Sequence, residues 1–330
     1  MKFIIRFWWL AVLVSSLTFA CQPALTGSQP SPLVPLSSPS PAPASPQPLI
    51  LEQTPIPLPL VPNFSRIVMI VFENKEFDSV IGSGKMAYFN LLAGSYTLLT
   101  AHHAAAHPSL PNYLSLIGGD TFGITSDCED CFINAPSLPD LIEQSGRTWK
   151  TYQDDMPEPC FMGSTLRYAQ RHNPFIYFDS IRLDSERCRQ NVVPLTKLDA
   201  DLALNDLPDF IFISPDICYS SHDCDLDLAD TWLKGQMDKL YPVLESSGDP
   251  FLIILTWDEG QTDHSCCGLP DPAGGRVATL LISPQVKPNF QDETPYSHYS
   301  LLKTISAAWN LPYLGHAADA ETSLITAPWR

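Results

Sequence analysis

Short runs of apolar, often β-branched residues recur along the chain beyond residue 62 and alternate with amphipathic segments. Continuous apolar runs of this length predict buried strands, and helical spacing of apolar positions predicts helices. The predicted strands are residues 66–72, 209–214, 251–255 and 276–283, and the predicted helices about 111–117, 138–144, 226–244 and 299–309. Because strands and helices alternate, we predict a single α/β domain over residues 63–330, with a central, mainly parallel sheet and helices on both faces.

The first 62 residues follow a different pattern. Lys2 and Arg6 precede an apolar stretch that ends in small and polar residues before Cys21, which predicts a signal peptide over residues 1–20 rather than a membrane span. A cysteine at this place is typical of lipid-modified bacterial lipoproteins, whereas Thr18-Phe19-Ala20 also suits ordinary cleavage. Both alternatives predict an exported protein, in the periplasm or at the cell surface, and the first adds membrane anchoring through Cys21.

Residues 21–62 contain thirteen of the 32 prolines and almost no charge. Such a segment forms neither a helix nor a strand ladder, so we predict an extended, semi-stiff tether before the folded body. The whole chain carries a formal net charge of -17 with only 19 Lys and Arg. Nucleic acid and anionic membrane surfaces are therefore poor partners.

Eight cysteines follow Cys21, an even number that in an exported chain predicts disulfides. Cys128-x-x-Cys131 alternatively opens a zinc knuckle, although no second pair follows at the usual distance. Cys218 and Cys224 bracket a loop that a bridge would stiffen. We expect the inserts that carry Cys128, Cys131, Cys160 and Cys188 to form a lid or rim.

Polar side chains follow two of the predicted strands where each strand ends. Asp258 and Glu259 come after the 251–255 run, and Glu73 and Asn74 come after the first strand. In open α/β sheets ligands collect outside the carboxyl ends of strands, and adjacent carboxylates repel each other unless a cation or protons neutralise them. The pattern predicts a metal site, with a surface turn as the alternative for Asp258-Glu259 alone.

The segment before Pro111 carries a second set of candidate residues. Pro111 suits the first turn of a helix, so Ser109 lies just before the N-terminus, where backbone N–H groups and the helix dipole favour an anion. A hydroxyl there either caps the helix or attacks phosphorus, and the segment alone leaves both roles open. His102, His103 and His107 lie within six residues, and such a cluster suits phosphate charge or a leaving group.

Seven motifs that include these residues occur in a fixed order along the chain. They are Phe72-Glu73-Asn74, the segment 107–113 (HPSLPNY), the segment 172–178 (HNPFIYF), Ser214-Pro215-Asp216 through His222-Asp223-Cys224, Asp258-Glu259-Gly260, the segment 275–278 (GRVA) and the segment 296–300 (YSHYS). In these motifs the chain resembles the bacterial phosphoesterase family, which groups acid phosphatases with phospholipases C in the alkaline-phosphatase-like superfamily. The resemblance covers about residues 66–317.

The resemblance implies an alkaline-phosphatase-like fold and a metal-dependent phosphoric ester hydrolase that acts on a small-molecule or lipid phosphoester. Ser109 is implied as the nucleophile, which forms a phosphoserine intermediate that water hydrolyses. One divalent metal ion, or two, is the implied cofactor, and its identity stays open. The implied metal ligands are Glu73, Asn74, Asp258, Glu259 and Asp216. The other implied residues are His107, His222 and His298 for catalysis and Asp223, His172 and His264 for substrate binding.

The loop 215–224 departs from the family pattern Pro-Asn-x-Cys-Asn-Asp-x-His-Asp-Cys. Asp216 replaces an Asn, and Tyr219-Ser220 replaces the Asn-Asp pair, which leaves substrate preference open. A second metal would follow if Asp216 joined His222 and His298 as ligands. An acid-phosphatase-like phosphomonoesterase is the first hypothesis, and a phospholipase C or nucleotide phosphodiesterase is the alternative. A phosphate-binding lipoprotein without activity is a third hypothesis, and it would have no use for Ser109 beside carboxylates.

Overall fold

The structure, a computed structural model, describes residues 60–330, which are organised around one nine-stranded sheet. The predicted signal peptide 1–20, Cys21 and the tether up to residue 59 lie outside the described residues. The strands are β1 (Arg66–Phe72), β2 (Thr97–His103), β3 (Trp149–Gln153), β4 (Val192–Pro194), β5 (Phe210–Ser214), β6 (Phe251–Trp257), β7 (Arg276–Ile282), β8 (Phe290–Asp292) and β9 (Tyr296–Ser297).

The strand order in the sheet is β4-β3-β5-β1-β6-β7-β2-β8, and β9 pairs with β2. Strand β7 runs antiparallel to both β6 and β2, and the other pairs in the described sheet are parallel. The prediction of a mainly parallel α/β sheet is confirmed. The predicted strand at 276–283 is the antiparallel strand of this sheet. An apolar run predicts a buried strand but does not indicate its direction.

Helices cover both faces of this sheet. They are α1 (Phe77–Val80), α2 (Ala87–Ala93), α3 (Ser109–Gly118), α4 (Leu138–Gln144), α5 (Asp179–Arg182), α6 (Ser185–Asn191), α7 (Thr196–Leu204), α8 (Leu226–Ser246) and α9 (His298–Ala308). Side chains along β1 alternate between two buried clusters: Ile67 packs in a cluster with α3 and α9, and Val68 in one with α2 and α8. Burial on both faces explains why the central strands are apolar at every position.

Within residues 60–330 no helix combines the length and the apolar character that crossing a membrane requires. All eight cysteines of this part are paired, as Cys128–Cys131, Cys160–Cys188, Cys218–Cys224 and Cys266–Cys267. The prediction of disulfides is confirmed, and the zinc-knuckle alternative is wrong because both of its sulfurs are bonded to each other. The Cys218–Cys224 bridge closes the loop that carries His222 and Asp223.

The carboxyl ends of β5, β1 and β6 lie side by side. In the register of β1 with β6, Phe72 is opposite Trp257, so the next residues along each strand, Glu73 and Asp258, emerge as neighbours. The acidic residues that follow two separate strands are thereby brought to one edge of the sheet.

Candidate active site

Glu73, Asn74 and Asp258 are held together by the backbone at the ends of β1 and β6. Asp258 N donates to Phe72 O over 2.9 Å, and Asn74 N donates to Asp258 Oδ1 over 3.0 Å. Asn74 has φ of 56°, the left-handed region that asparagine tolerates better than most residues. This turn directs the N–H of Asn74 at the Asp258 carboxylate and fixes the two strand ends relative to each other.

Ser109 is the first residue of α3 and is buried. Its Oγ lies 3.0 Å from Glu73 Oε2 and 3.3 Å from Glu259 Oε1, so its single hydroxyl proton has two carboxylate acceptors. The segment ahead of it is fixed by Asn112, whose Oδ1 accepts from Ala105 N and Ala106 N over 2.9 and 3.0 Å. Helix α3 therefore presents a hydroxyl directly to the acidic strand ends.

The carboxyl groups in this cluster are buried and close to one another, which changes their protonation. Burial, with a smaller contribution from the charge of Glu259, raises the pKa of Glu73 above its usual value of 4.5, although hydrogen bonds from Tyr113 and Ser109 oppose the shift. Burial and the charges of Glu73 and Glu259 raise the pKa of Asp258 well above its usual range. In the absence of a cation, these groups retain protons in a pH range where exposed carboxyls are ionised.

The donor set fits a divalent cation. Asp258 Oδ2 is buried and has no hydrogen-bond partner among residues 60–330, and His172 Nε2 is close to Glu73 Oε1 without forming an aligned hydrogen bond to it. Glu73, His172 and His222 each offer one ligand atom, and these atoms all lie within 4.8 Å of one another. Oxygen donors suit Mg²⁺, Ca²⁺ or Mn²⁺, whereas imidazole favours Zn²⁺ and other transition metals. Glu73 also belongs to the set predicted from the sequence, with Asp258 and Glu259, whose ligand atoms do not form such a cluster among residues 60–330.

His107 is bound to the acidic cluster through both ring nitrogens. Nδ1 contacts Glu259 Oε2, and Nε2 lies 3.1 Å from the carbonyl oxygen of Thr262. Both partners are acceptors, so both nitrogens donate, and the hydrogen bond to Glu259 raises the pKa of His107. These contacts favour the protonated ring and hold it against Glu259.

Glu76 fixes the loop that supplies this second contact of His107. Its carboxylate accepts hydrogen bonds from Gln261 N over 2.9 Å, Thr262 N over 3.2 Å and Arg276 N over 3.1 Å. Gly260 has to be glycine for this approach, because a Cβ there would lie 2.3 Å from Glu76 Oε2. The loop after Glu259 is thereby tied to the turn after β1.

His298 lies behind the cluster at the start of α9 and is fully buried. Its Nε2 donates to the backbone carbonyl of Asp258, and its Nδ1 lies 3.3 Å from His102 Nε2. His102 Nδ1 contacts Thr279 Oγ1, which lies 2.7 Å from Thr256 Oγ1. We call His298, His102, Thr279 and Thr256 the buried relay.

The relay is electrically neutral. Because it ends at a carbonyl acceptor, each imidazole carries its proton on Nε2 and accepts at Nδ1. Burial lowers the pKa of His298 to about 4 and lowers the pKa of His102 well below its usual range. The sequence-based expectation that the histidine cluster meets phosphate is wrong for His102, which is fully buried and bonded on both nitrogens.

His222, Asp223 and Arg171 stand on the open side of the cluster, and we call them the rim. His222 Nδ1 lies 2.6 Å from Asp223 Oδ1, its Nε2 lies 3.2 Å from Arg171 Nη2, and its side chain is 26% exposed. Beneath it, His172 stacks on the Tyr113 ring at 5.5 Å, and its Nε2 lies 3.2 Å from Glu73 Oε1. A groove of about 280 Å³ opens beside Asp223 and is lined partly by Leu166 and Ile217.

The two remaining predicted residues lie elsewhere. Asp216 is paired with Arg167, and its Oδ1 accepts from Cys218 N and Tyr219 N over 2.8 and 2.9 Å, so its carboxylate shapes the 215–224 loop. His264 is exposed on the loop between β6 and β7. Among residues 60–330, the set Asp216, His222 and His298 does not form a cluster of metal-ligating atoms.

Sequence reasoning missed Tyr113, Glu76 and Arg171. Tyr113 OH donates to Glu73 Oε1, and its place at the end of the 107–113 motif is a signal that could have found it. Arg171 immediately precedes the 172–178 motif. Glu76 carried no signal, because its partners are backbone groups that only the folded loop supplies.

Comparison with known proteins identifies the family of the chain. A family model described as the phosphoesterase family matches residues 83–312. The chain is 32% identical over 279 residues to a probable acid phosphatase of Kluyveromyces lactis, covering 80% of this chain and 63% of that protein. It is 27% identical over 267 residues to a phosphatidylinositol-3-phosphatase of Mycobacterium tuberculosis, covering 79% and 82%.

A solved structure of an alkaline phosphatase superfamily protein from Vibrio parahaemolyticus shares the fold. It superposes with a TM-score of 0.52 at 11% identity, covering 78% of this chain and 71% of that one. The chain spans about three fifths of the length of the curated acid phosphatases that it matches.

Proposed function

The chain belongs to the phosphoesterase family, and on this premise we propose that it is an exported, metal-dependent phosphoric ester hydrolase that acts on phosphomonoesters through a phosphoserine intermediate. One observation carries the proposal: the buried Ser109 hydroxyl donates to Glu73 and Glu259 at the N-terminus of α3. A capping serine would bond to its own helix, whereas this one is directed at carboxylates. A phosphate-binding protein has no use for such a contact.

The residues of the chain account for the steps of such a reaction. Glu73 and Glu259 accept the Ser109 proton as Oγ attacks phosphorus, the phosphorus–oxygen bond to the leaving alcohol breaks, and water later releases phosphate from Ser109. His222, which reaches the open side, is proposed to protonate the leaving oxygen from Nε2. This requires Nε2 to carry a proton and to part from Arg171 Nη2, because a guanidinium N–H can only donate. Glu73, Asn74, Asp258, Glu259 and Ser109 would hold the metal, with the Glu73, His172 and His222 group as the second candidate. A bound divalent cation would stabilise phosphoryl charge and favour the ionised Ser109 oxygen.

The proposal extends to substrate and location. Similarity to relatives named acid phosphatases supports a small phosphomonoester as the substrate of this chain. Similarity to the Mycobacterium tuberculosis relative, named a phosphatidylinositol-3-phosphatase, supports a lipid phosphate. The four disulfides suit an exported protein. Lipidation of Cys21, with the 21–62 tether as spacer, would hold the enzyme at a membrane.

A phospholipase C or nucleotide phosphodiesterase on the same core is the second candidate. The groove beside Asp223, the residue that follows His222, favours it, because such a recess can receive a larger leaving group. Leu166, at its edge, is 89% exposed and available for apolar contact.

The deciding experiment compares hydrolysis of p-nitrophenyl phosphate, bis-p-nitrophenyl phosphate and p-nitrophenyl phosphorylcholine, with and without chelator, by wild type and Ser109→Ala. We expect monoester turnover that chelator and the substitution abolish, and a phosphorylated Ser109 peptide in acid-quenched wild type by mass spectrometry. Ser115→Ala, a buried serine of the same helix, is the matched control. Undiminished turnover by Ser109→Ala would contradict the proposed nucleophile.

A further inference from the structure

Lys75 is a partly buried cation beside the acidic cluster, and the proposed reaction gives it no role. Three carboxylates lie near enough to act on its ammonium through their charges, those of Glu73, Asp258 and Asp225. Among residues 60–330, however, its Nζ donates to a backbone carbonyl, that of Ser221, over 2.6 Å. Lys75 is therefore bound to the loop that carries His222.

Two more hydrogen bonds join this loop to the end of β1 at the same place. Glu73 N donates to Ser220 O over 2.9 Å, and Ser221 Oγ donates to Glu73 O over 3.0 Å. Both serines are fully buried. Together with the bond from Lys75, three hydrogen bonds connect two consecutive loop residues to the segment 73–75.

Ser221 has a backbone conformation that depends on these contacts. Its φ is 70°, in the left-handed region, which costs free energy for a residue with a Cβ. Such a conformation persists only where the surrounding structure holds it. Here Lys75 binds the carbonyl of the residue and Glu73 accepts from its hydroxyl. Loss of the Lys75 contact therefore allows Ser221 to relax toward an ordinary backbone conformation.

Relaxation of Ser221 would move His222, the next residue. The Cys218–Cys224 disulfide closes a short loop around both, so a rotation at one is passed to the other. The ligand atom of His222 lies within 4.8 Å of that of Glu73, whose carboxylate accepts from Ser109 Oγ. A displacement of about 1 Å in a reacting group can cost on the order of 10²-fold in rate. The contact at Ser221 therefore matters for the chemistry proposed for His222.

We propose that Lys75 is a positioning residue, which holds the carbonyl of Ser221 and thereby keeps His222 where it can protonate the leaving oxygen. The inference rests on the proposed hydrolase function and on His222 as its proton donor. Lys75 touches no substrate atom in this role and exchanges no proton. Its loss should weaken protonation of the leaving group and spare the binding of the phosphoryl group.

The first test compares Lys75→Met, which keeps the apolar stem but removes the donor, with Lys75→Arg, which retains a donor. Phenol is a weaker acid than p-nitrophenol, so its oxygen depends more on a proton donor as it leaves. In Lys75→Met we expect kcat to fall roughly 30- to 100-fold for phenyl phosphate and less than about tenfold for p-nitrophenyl phosphate. KM for both substrates should stay within about threefold of wild type, as should kcat in Lys75→Arg.

Two further variants complete this comparison. Lys234→Met removes an exposed lysine that pairs with Asp238 on α8, and it is the matched control. Ser221→Ala removes the hydroxyl that donates to Glu73 O, so it should disfavour phenyl phosphate in the same way. If Lys75→Met does not fold, Ser221→Ala provides the test. An equal fall for the two substrates in both variants would overturn the inference.

Hydrogen–deuterium exchange of the metal-free protein separates this inference from the proposed function, because it needs no turnover. The amide of Glu73, bonded to Ser220 O, and the peptide that covers residues 220–223 report whether the loop stays on β1. We expect exchange at least about tenfold faster in Lys75→Met and at the wild-type rate in Lys75→Arg and Lys234→Met. If wild type hydrolyses no ester, the proposed function fails while this exchange still reports on Lys75. Unchanged exchange in Lys75→Met would overturn the inference.

Discussion

His222 and His298 come from equally distinctive motifs, but the fold gives them opposite surroundings. His222 is part of the rim, carries a carboxylate on one nitrogen and a guanidinium on the other, and is open to solvent. His298 is part of the buried relay, is fully buried, and donates to a backbone carbonyl. A histidine on the rim can meet a substrate, whereas one in the relay can only position Asp258. Residue type and motif do not distinguish these roles, whereas the hydrogen-bond partners of each ring nitrogen do.

The strongest test of this difference is His222→Ala. We expect kcat/KM for p-nitrophenyl phosphate to fall by roughly 10²–10⁴-fold, because a positioned proton donor is lost. Stability in urea should change by no more than about 0.5 kcal/mol, since the ring is partly exposed. His316→Ala, which removes an exposed histidine paired with Asp319, is the control. Full activity in His222→Ala would show that His222 takes no part in catalysis.

The corresponding substitution in the relay, His298→Ala, should act on stability first. It leaves a cavity and strips partners from His102 and the Asp258 carbonyl, so we expect a loss of about 2–4 kcal/mol in the free energy of unfolding. Urea unfolding in the presence of chelator measures this without interference from bound metal. A folded protein of wild-type stability that has lost turnover would show that His298 touches the reaction after all.

The two regions should also respond differently to pH. The folded-state pKa of His298 is lowered, so its contribution, about 3 kcal/mol, is present above pH 6.5 and is lost as the pH falls toward 4. The folded-state pKa values of Glu73 and Asp258 are raised, so their contribution in metal-free protein is present at acid pH and lost as the pH rises above 4.5.

Thermal unfolding with chelator and with Mn²⁺ or Zn²⁺ at about pH 5 and about pH 8 checks this prediction. We expect the cation to stabilise the protein more at the higher pH, because it then competes with fewer protons for the carboxylates. Equal stabilisation at both values would mean that these carboxyls are not ligands.

Of these substitutions, Thr279→Val is expected to have the smallest effect. Removing the hydroxyl that contacts His102 Nδ1 should cost about 1 kcal/mol of stability and leave kcat/KM within about twofold, because three hydrogen bonds separate Thr279 from Asp258. Thr148→Val, which removes a hydroxyl from an exposed pair with Asp209, is a matched control. A large loss of activity in Thr279→Val alone would make the relay a functional element.

The sequence predicted the central strands well and the outer ones poorly, for a physical reason. Strands β1 and β6 are buried on both faces and are therefore apolar throughout, whereas β2 contains Thr97, Thr100 and two histidines whose polar groups find partners only in the assembled sheet. Strand β3 is half polar for the same reason. Periodicity does not reveal a strand whose polar side chains are satisfied by distant residues.

The candidate site was predictable in its composition but not in its arrangement. Strand ends and the position of Ser109 indicated which residues would meet, and the resemblance supplied their roles. The burial of His298 depends on how α9 packs against α3, and the binding of His107 to Glu259 depends on a loop held by Glu76. Such contacts arise between segments more than a hundred residues apart, so no local pattern carries them.

Strand β1 lies at the centre of the sheet, and its position has a consequence for when the molecule can act. Ile67 pairs with Phe210 on one side and Leu252 on the other, so both edges of β1 stay open until those segments have been synthesised. Strands that are this far apart in sequence pair late in folding, because the long segments between them must be ordered first. A chain that lacks β6 therefore cannot bring Glu73 to Asp258, and the candidate site forms only once the C-terminal half is present.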